Sequence, residues 1–368
     1  MADYVSNAMT VLSAQEAWDL IVPYGLSTVR VAIIDTGFAI ESELDSQAKK
    51  DDVLSNRVEY RNFVNATDAV NGDVVTTTQP PSTLNGHGTW CQSICGAPHT
   101  GSGMAGAAPN VEFLCYRAFQ DVGNHDWEEI KYAIKAAVDN GAKIISMSTG
   151  ERWNAPLTGA DLTANNHFQD AVDYCYNNDV LFVTSVGNSY DDLDDSSTFW
   201  IPAENNNILT KLGGTNEDFD NIWYEGECDP PEDCPPTGFL GSNYGSNLEI
   251  CTPAQNVYGL YGNNYFSTVD GTSGCGPAVA GLAAMILGLL PNLTPQEVVN
   301  IIKATANTDA ITSDENIGRK VNFEKSVTAA IALLETNYIK NTRNQYPILK
   351  DFDGVKINLK DFDGTTLY

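Results

Sequence analysis

The chain has 368 residues, enough for one large domain or two ordinary ones, and its 42% apolar content can build a sizeable core. Twenty Lys and Arg face 48 Asp and Glu, a net charge of −28. Such a surface repels phosphate backbones and anionic headgroups, which sets aside nucleic acid and membrane as partners.

The most apolar run, Ala278 to Leu290, falls short of the roughly 20 residues a bilayer requires and is bracketed by Pro277 and Pro291. The first residues lack the basic, apolar and small-residue regions of a signal peptide, so the chain reads as intracellular or as a mature form. Eight cysteines are too few for a disulfide-built scaffold. Cys228 and Cys234 flank a short polar turn that suits a local disulfide, whereas Cys91 and Cys95, on a predicted helix, read as packing.

In chain order, Val29 to Asp35 is a nearly continuous apolar run, the pattern of a strand buried on both faces. Asp35 closes it, followed by Thr36 and Gly37. An acidic residue there either caps a turn or sits where α/β sheets bind ligands. Asn85-Gly86-His87-Gly88-Thr89 leads into a helical pattern, and its glycines let backbone approach a ligand closely. Strand-like runs follow at Val111 to Phe119, Lys143 to Met147, Val180 to Val186 and Ile208 to Leu212. Asp126 is placed to N-cap a helix that stops at Asn140-Gly141, with Glu129 at the capping-box position. His99, His125 and His167 read as surface or packing residues. Residues 216 to 247, rich in Gly, Pro, Asp, Asn and Tyr, read as a long surface excursion.

Gly271-Thr272-Ser273-Gly274-Cys275-Gly276-Pro277 then precedes an apolar helix. Ser273 is either an N-cap or a hydroxyl at the positive end of that helix, where a developing anion is stabilised. Cys275, in the first turn, reads as buried and inert. Thr294-Pro295-Gln296-Glu297 is a capping box with proline at the first helical position. Lys350-Asp351-Phe352-Asp353-Gly354 recurs at 360–364, the signature of an appended β-ribbon. Strand–helix alternation over most of the chain predicts a doubly wound α/β fold. Its mainly parallel sheet is flanked by helices, and a short β-rich tail follows. The division is one large domain over 1–335 and an extension over 336–368.

Taken in order, Asp-Thr-Gly at 35–37, His-Gly-Thr at 87–89 and Gly-Thr-Ser-x-x-x-Pro at 271–277 resemble the subtilisin-like serine peptidases, the subtilase family. Gly106-Ala107-Ala108-Pro109, Ser146-Met147-Ser148, Gly187-Asn188 and Gly318-Arg319-Lys320-Val321-Asn322 support the resemblance, which runs over residues 11–335. It implies an endopeptidase with Ser273 as nucleophile, His87 as base and Asp35 orienting it, and Asn188 as an oxyanion donor. Ser148, Thr149 and Gly150 match the segment that pairs with an extended polypeptide substrate. The family further implies a structural calcium ion but no organic cofactor, with Glu43 as a carboxylate ligand beside the loop Pro98 to Met104. Thr100 there replaces an expected amide. Gly274, Cys275 and Ala278 replace the usual Met, Ala and His. No inhibitory prodomain is recognisable before Ser13, so a prodomain or protein inhibitor would be a separate partner. Secretion is typical of the family, and Asn65-Ala66-Thr67 is a glycosylation acceptor triplet that agrees with it. Two other classes were weighed. A catalytically silent, calcium-dependent binding relative rests only on the replacements around Ser273. A glycosidase with paired carboxylates has no motif to order them.

Overall fold

The computed structural model describes residues 3–67, 73–74, 86–119, 125–225, 240–261, 265–309, 311, 313 and 315–343. Helices α1 (Asn7–Val11) and α2 (Ala14–Ile21) precede β1 (Val29–Asp35). Then come α3 (Gln47–Val53), β2 (Arg57–Asn62), β3 (Asp73–Val74), α4 (Gly86–Gly96), β4 (Val111–Arg117) and α5 (Trp127–Asp139). The middle of the chain forms β5 (Ile144–Met147), β6 (Glu151–Asn154), α6 (Gly159–Asn177), β7 (Leu181–Ser185), β8 (Thr198–Ile201) and β9 (Thr210–Thr215). Short strands β10 (Tyr224–Glu225) and β11 (Leu240–Gly241) are followed by β12 (Ile250–Pro253) and the hairpin β13 (Val257–Tyr261) and β14 (Tyr265–Val269). The last elements are α7 (Cys275–Leu289), α8 (Pro295–Thr305), β15 (Arg319–Lys320) and α9 (Phe323–Arg343).

Nine described strands make one sheet in the order β15-β12-β9-β7-β5-β1-β4-β2-β3. Neighbours run parallel except β2 and β3, which are antiparallel. Successive side chains of a strand leave on opposite faces, and here both faces are covered. Val31 and Ile33 of β1 join a core with residues of α4 and α7, while Ala32 and Ile34 join another with residues of α5 and α6. This is why β1 reads as an unbroken apolar run. The chain builds to one side of β1 with β2, β3 and β4, then crosses to β5 and continues outward. The carboxyl end of β1 therefore lies at the switch point, where open α/β sheets form their crevice.

Helix α7 lies at the centre, and all fifteen of its residues are buried. Thr272–Leu289 is apolar enough to cross a membrane by length and composition alone, but 94% of it is packed inside the protein. A helix that is apolar all round needs such a setting, and each large side chain so buried contributes about 1.5–3 kcal/mol.

Most predicted ends hold. Asp126 accepts a hydrogen bond from the Glu128 amide at the start of α5, and Thr294 forms its capping box with Glu297. Glu129 departs from its expected place and accepts instead from the Asn65 amide. The stretch 216–247 is not wholly a surface excursion: Phe219, Ile222, Trp223, Ser242 and Asn243 are buried, and its described ends bond to β9 and to the turn after β7, through the Trp223 amide to the Gly214 carbonyl and the Asn243 amide to the Gly187 carbonyl. Residues 226–239, with Cys228 and Cys234, lie outside the described residues, and the six described cysteines are free thiols. Helix α9 runs through position 335, so residues 336–343 are helical rather than β-ribbon. The Lys-Asp-Phe-Asp-Gly repeat lies outside the described residues.

Candidate active site

Asp35 ends β1 and is 1% exposed. Its Oδ1 lies 2.8 Å from His87 Nδ1 and also accepts the Thr36 amide at 2.7 Å and the Thr36 hydroxyl at 3.1 Å. His87 is the second residue of α4, which packs against β1. A carboxylate facing Nδ1 assigns the proton to that nitrogen and leaves the Nε2 lone pair free to act as a base. Burial alone would push the imidazole pKa down, but the charge and hydrogen bond of Asp35 raise it well above its ordinary value. One turn along, the Cys91 sulfur is 3.8 Å from His87 Nδ1 and 3.8 Å from the Ser273 carbonyl. Burial pushes that thiol up to about 11, so it stays protonated at neutral pH.

Ser273 sits in the tight turn Thr272–Gly274 that opens α7. The N-cap of α7 is Gly274, and no side chain caps it, so the Ser273 hydroxyl is not spent as a helix cap. The Ser273 carbonyl accepts from Ser148 Oγ at 2.7 Å. Asn188 follows β7. Its Oδ1 accepts from the Thr272 amide at 2.8 Å and the Thr272 hydroxyl at 2.7 Å. A backbone N–H can only donate, so the oxygen of Asn188 must face Thr272 and its NH2 must face away.

A cavity of about 280 Å³ lies beside these groups, and its lining includes Ser148, Thr149, Gly150, Asn188, Trp200 and Ser273. Among the described residues, no ionisable side chain lines it. The expected substrate segment, nucleophile and oxyanion donor thus share one cleft, with the His87–Asp35 pair joined to it through α4. His125, which the sequence leaves as packing, places Nε2 3.4 Å from the Thr149 hydroxyl and so backs the same segment.

The loop 98–104 meets different carboxylates from the one expected. Glu43 Oε2 accepts from the Ile40 amide at 2.8 Å, closing its own short helical turn. Asp3 instead accepts from the Gly101 amide at 2.8 Å and the Gly103 amide at 3.0 Å, and Asp52 accepts from the Met104 amide at 3.2 Å. Thr100 Oγ1 pairs with Ser102 Oγ. The second oxygen of Asp52, Oδ1, is buried without a hydrogen-bond partner. Burial raises the Asp52 pKa to about 7; the Met104 amide opposes this, and the charges of Asp3 and Asp51 add to it. Two carboxylates held by one loop, one of them with an orphaned buried oxygen, suit a hard divalent cation, which takes oxygen ligands. Neither Asp3 nor Asp52 carries a sequence signal, since each acquires its role only through a contact across the fold.

The family model for the subtilase family matches residues 27–333. Thermitase of Thermoactinomyces vulgaris is 27% identical over 276 residues, 75% of this chain and 79% of its own. Subtilisin DY of Bacillus licheniformis is 27% identical over 283 residues, 77% of this chain and 85% of its own. Among solved structures, a protease of Pseudoalteromonas arctica superposes with a TM-score of 0.63 at 22% identity, covering 87% of this chain and 94% of that one. That likeness carries the fold, and the family match carries the membership. The chain belongs to the subtilase family.

Proposed function

We propose that this subtilase hydrolyses peptide bonds of extended polypeptides through an acyl-enzyme on Ser273. Ser273 Oγ attacks the scissile carbonyl carbon as His87 Nε2 takes its proton. The oxyanion is held by the Asn188 NH2 and the Ser273 amide at the positive end of α7. The carbon–nitrogen bond breaks as His87 returns the proton to the leaving amine. Water then attacks the acyl carbon, gives its proton to His87, and Ser273 recovers it on release of the acid. Asp35 holds the imidazole tautomer and stabilises the imidazolium throughout. One oxyanion donor contributes on the order of 3 kcal/mol, a magnitude that is the family's own. The substrate backbone pairs with Ser148, Thr149 and Gly150 as an added strand.

The observation that supports this reading best is the single His87–Asp35 contact, which leaves Nε2 as the base, beside a cleft shared by Ser273 and Asn188. Calcium, when bound, would supply positive charge between Asp3 and Asp52 and hold the loop 98–104 to the N-terminal segment. The reading extends to a secreted enzyme, with a prodomain or protein inhibitor as a partner for the cleft.

A fluorophosphonate should label Ser273, and Ser273→Ala should abolish labelling. Ser273→Ala and His87→Ala should each cost about a millionfold in turnover, and the double variant little more, since such groups act as a unit. If Ser273→Ala kept a tenth of the parent rate, the mechanism would be wrong, and the silent binding relative would take its place.

A further inference from the structure

The turn that carries Asn188 is held by a second asparagine, Asn243, which follows β11 and is 0% exposed. Its Oδ1 accepts the amides of Ser189 at 3.0 Å and Asp191 at 3.0 Å. Its Nδ2 donates to the Val186 carbonyl at 2.8 Å, and its backbone amide donates to the Gly187 carbonyl at 3.1 Å. The Gly241 amide adds a bond to the Asn188 carbonyl at 3.1 Å. Asn188 is thus bracketed on both sides through one buried side chain, while Thr272 fixes its own side-chain oxygen. Gly187 adopts a φ of +104°, and a Cβ there would stand 2.6 Å from Asn243 Nδ2. The turn is shaped around Asn243.

A carboxamide is the side chain suited to this place, because it offers two acceptor lone pairs and two donors on one rigid plane. Both acceptor sites and at least one donor are used here. An oxyanion donor works by being in position before charge develops, and a small misplacement is costly. We propose that Asn243 is a positioning residue for the oxyanion donor: it sets the 186–191 turn so that the Asn188 NH2 is already placed when the tetrahedral intermediate forms. This rests on the role given to Asn188 above. A purely structural Asn243 would lower stability and leave the turnover of the folded enzyme unchanged; a positioning Asn243 lowers kcat itself.

The test compares the parent chain with Asn243→Ala, Asn243→Asp, Asn188→Ala and the double variants, on a chromogenic peptide amide well below each melting temperature. Active sites are counted by complete fluorophosphonate titration. Asn243→Ala should lose roughly 10- to 100-fold in kcat, with KM within about threefold. Asn243→Asp keeps the acceptor for two amides but sets a second carboxylate oxygen against the Val186 carbonyl, so it too should lower kcat. Adding either change to Asn188→Ala should cost nothing further. If Asn188→Ala leaves kcat intact, the oxyanion reading itself fails. If Asn188→Ala is impaired but Asn243→Asp matches the parent and the Asn243→Ala loss is additive or confined to KM, the positioning role is overturned. Should Asn243→Ala not fold, the Asn243→Asp cycle with Asn188→Ala decides alone: additivity sinks the proposal and its absence supports it.

Discussion

Asp35 and Asp52 are both buried, at 1% and 0% exposure, and each meets a segment rich in glycine. Around Asp35 stand the Thr36 amide and hydroxyl and the His87 ring, all arranged on one oxygen. Around Asp52 stand one amide and a second carboxylate, Asp3, and each aspartate keeps one buried oxygen without a hydrogen bond, Oδ2 of Asp35 and Oδ1 of Asp52. Burial is common to both, and at Asp52 it is the main cause of the raised pKa. What separates them is the partner: a titratable ring makes Asp35 part of a proton-handling pair, whereas a like charge makes Asp52 wait for a proton or a cation.

The comparison breaks most visibly at Asp35. Asp35→Asn should lower kcat about ten-thousandfold, because the amide presents the wrong tautomer to His87. Its pH profile should move as well. His87 acts as a base only when neutral, so the rate rises with pH through the imidazole pKa, and the acid limb of kcat/KM in the parent should lie above pH 6.5. Removing the Asp35 charge should bring that limb down in pH. A limb that stays in place would mean Asp35 is not what raises His87.

At Asp52 the expected effect is on stability. Without a cation, folded Asp52 keeps its proton to about pH 7, while an unfolded aspartate releases it near 3.9. Between those values the unfolded chain binds fewer protons, so stability falls as pH rises from about 4 to about 7. Calorimetry with chelator should show this slope. Millimolar calcium should raise the melting temperature most at the upper end, and Asp52→Asn should remove both effects. Identical melting curves with chelator and with calcium would take the ion away from Asp3 and Asp52.

The smallest effect concerns the thiols nearest Ser273. Burial pushes Cys275 up to about 12, and its sulfur packs 3.7 Å from the carbonyls of Thr252 and Pro253. Burial therefore outweighs the pull of the helix dipole, and mild peroxide should leave activity within about twofold. Rapid inactivation with a sulfenic or sulfinic mass on Cys275 would reverse that ranking. A Cβ at Gly274 would meet Trp90 and Val257 at 3.1 Å each, so a methionine there requires those side chains to give by a few tenths of an ångström.

Asp35, His87 and Ser273 were legible because each sits in a glycine-flanked motif, and the strands of the sheet because both faces of β1 are buried. Asp3, Asp52 and Asn243 were not. Asp3 meets Gly101 across 98 residues, and Asn243 meets Ser189 across 54. In the chain they are ordinary polar residues in ordinary polar surroundings; only folding gives them neighbours. The reading of 216–247 erred for a related reason. Turn-forming composition describes how a backbone bends, and it does not say whether the bend lies on the surface or over the site.

Helix α7 has no exposed residue, and Ser273 stands at its mouth. The amides of so enclosed an element exchange with solvent only when the molecule opens as a whole, whereas peripheral contacts such as Asp3 with the 101–103 segment can open alone. Ser273 is thus mounted on the part of the chain expected to let go last. On the proposed function, a molecule with its N-terminal clasp undone is expected to keep cutting, with fully opened chains as its substrates. Loss of enzyme on heating then accelerates with protein concentration, because surviving copies consume the failed ones.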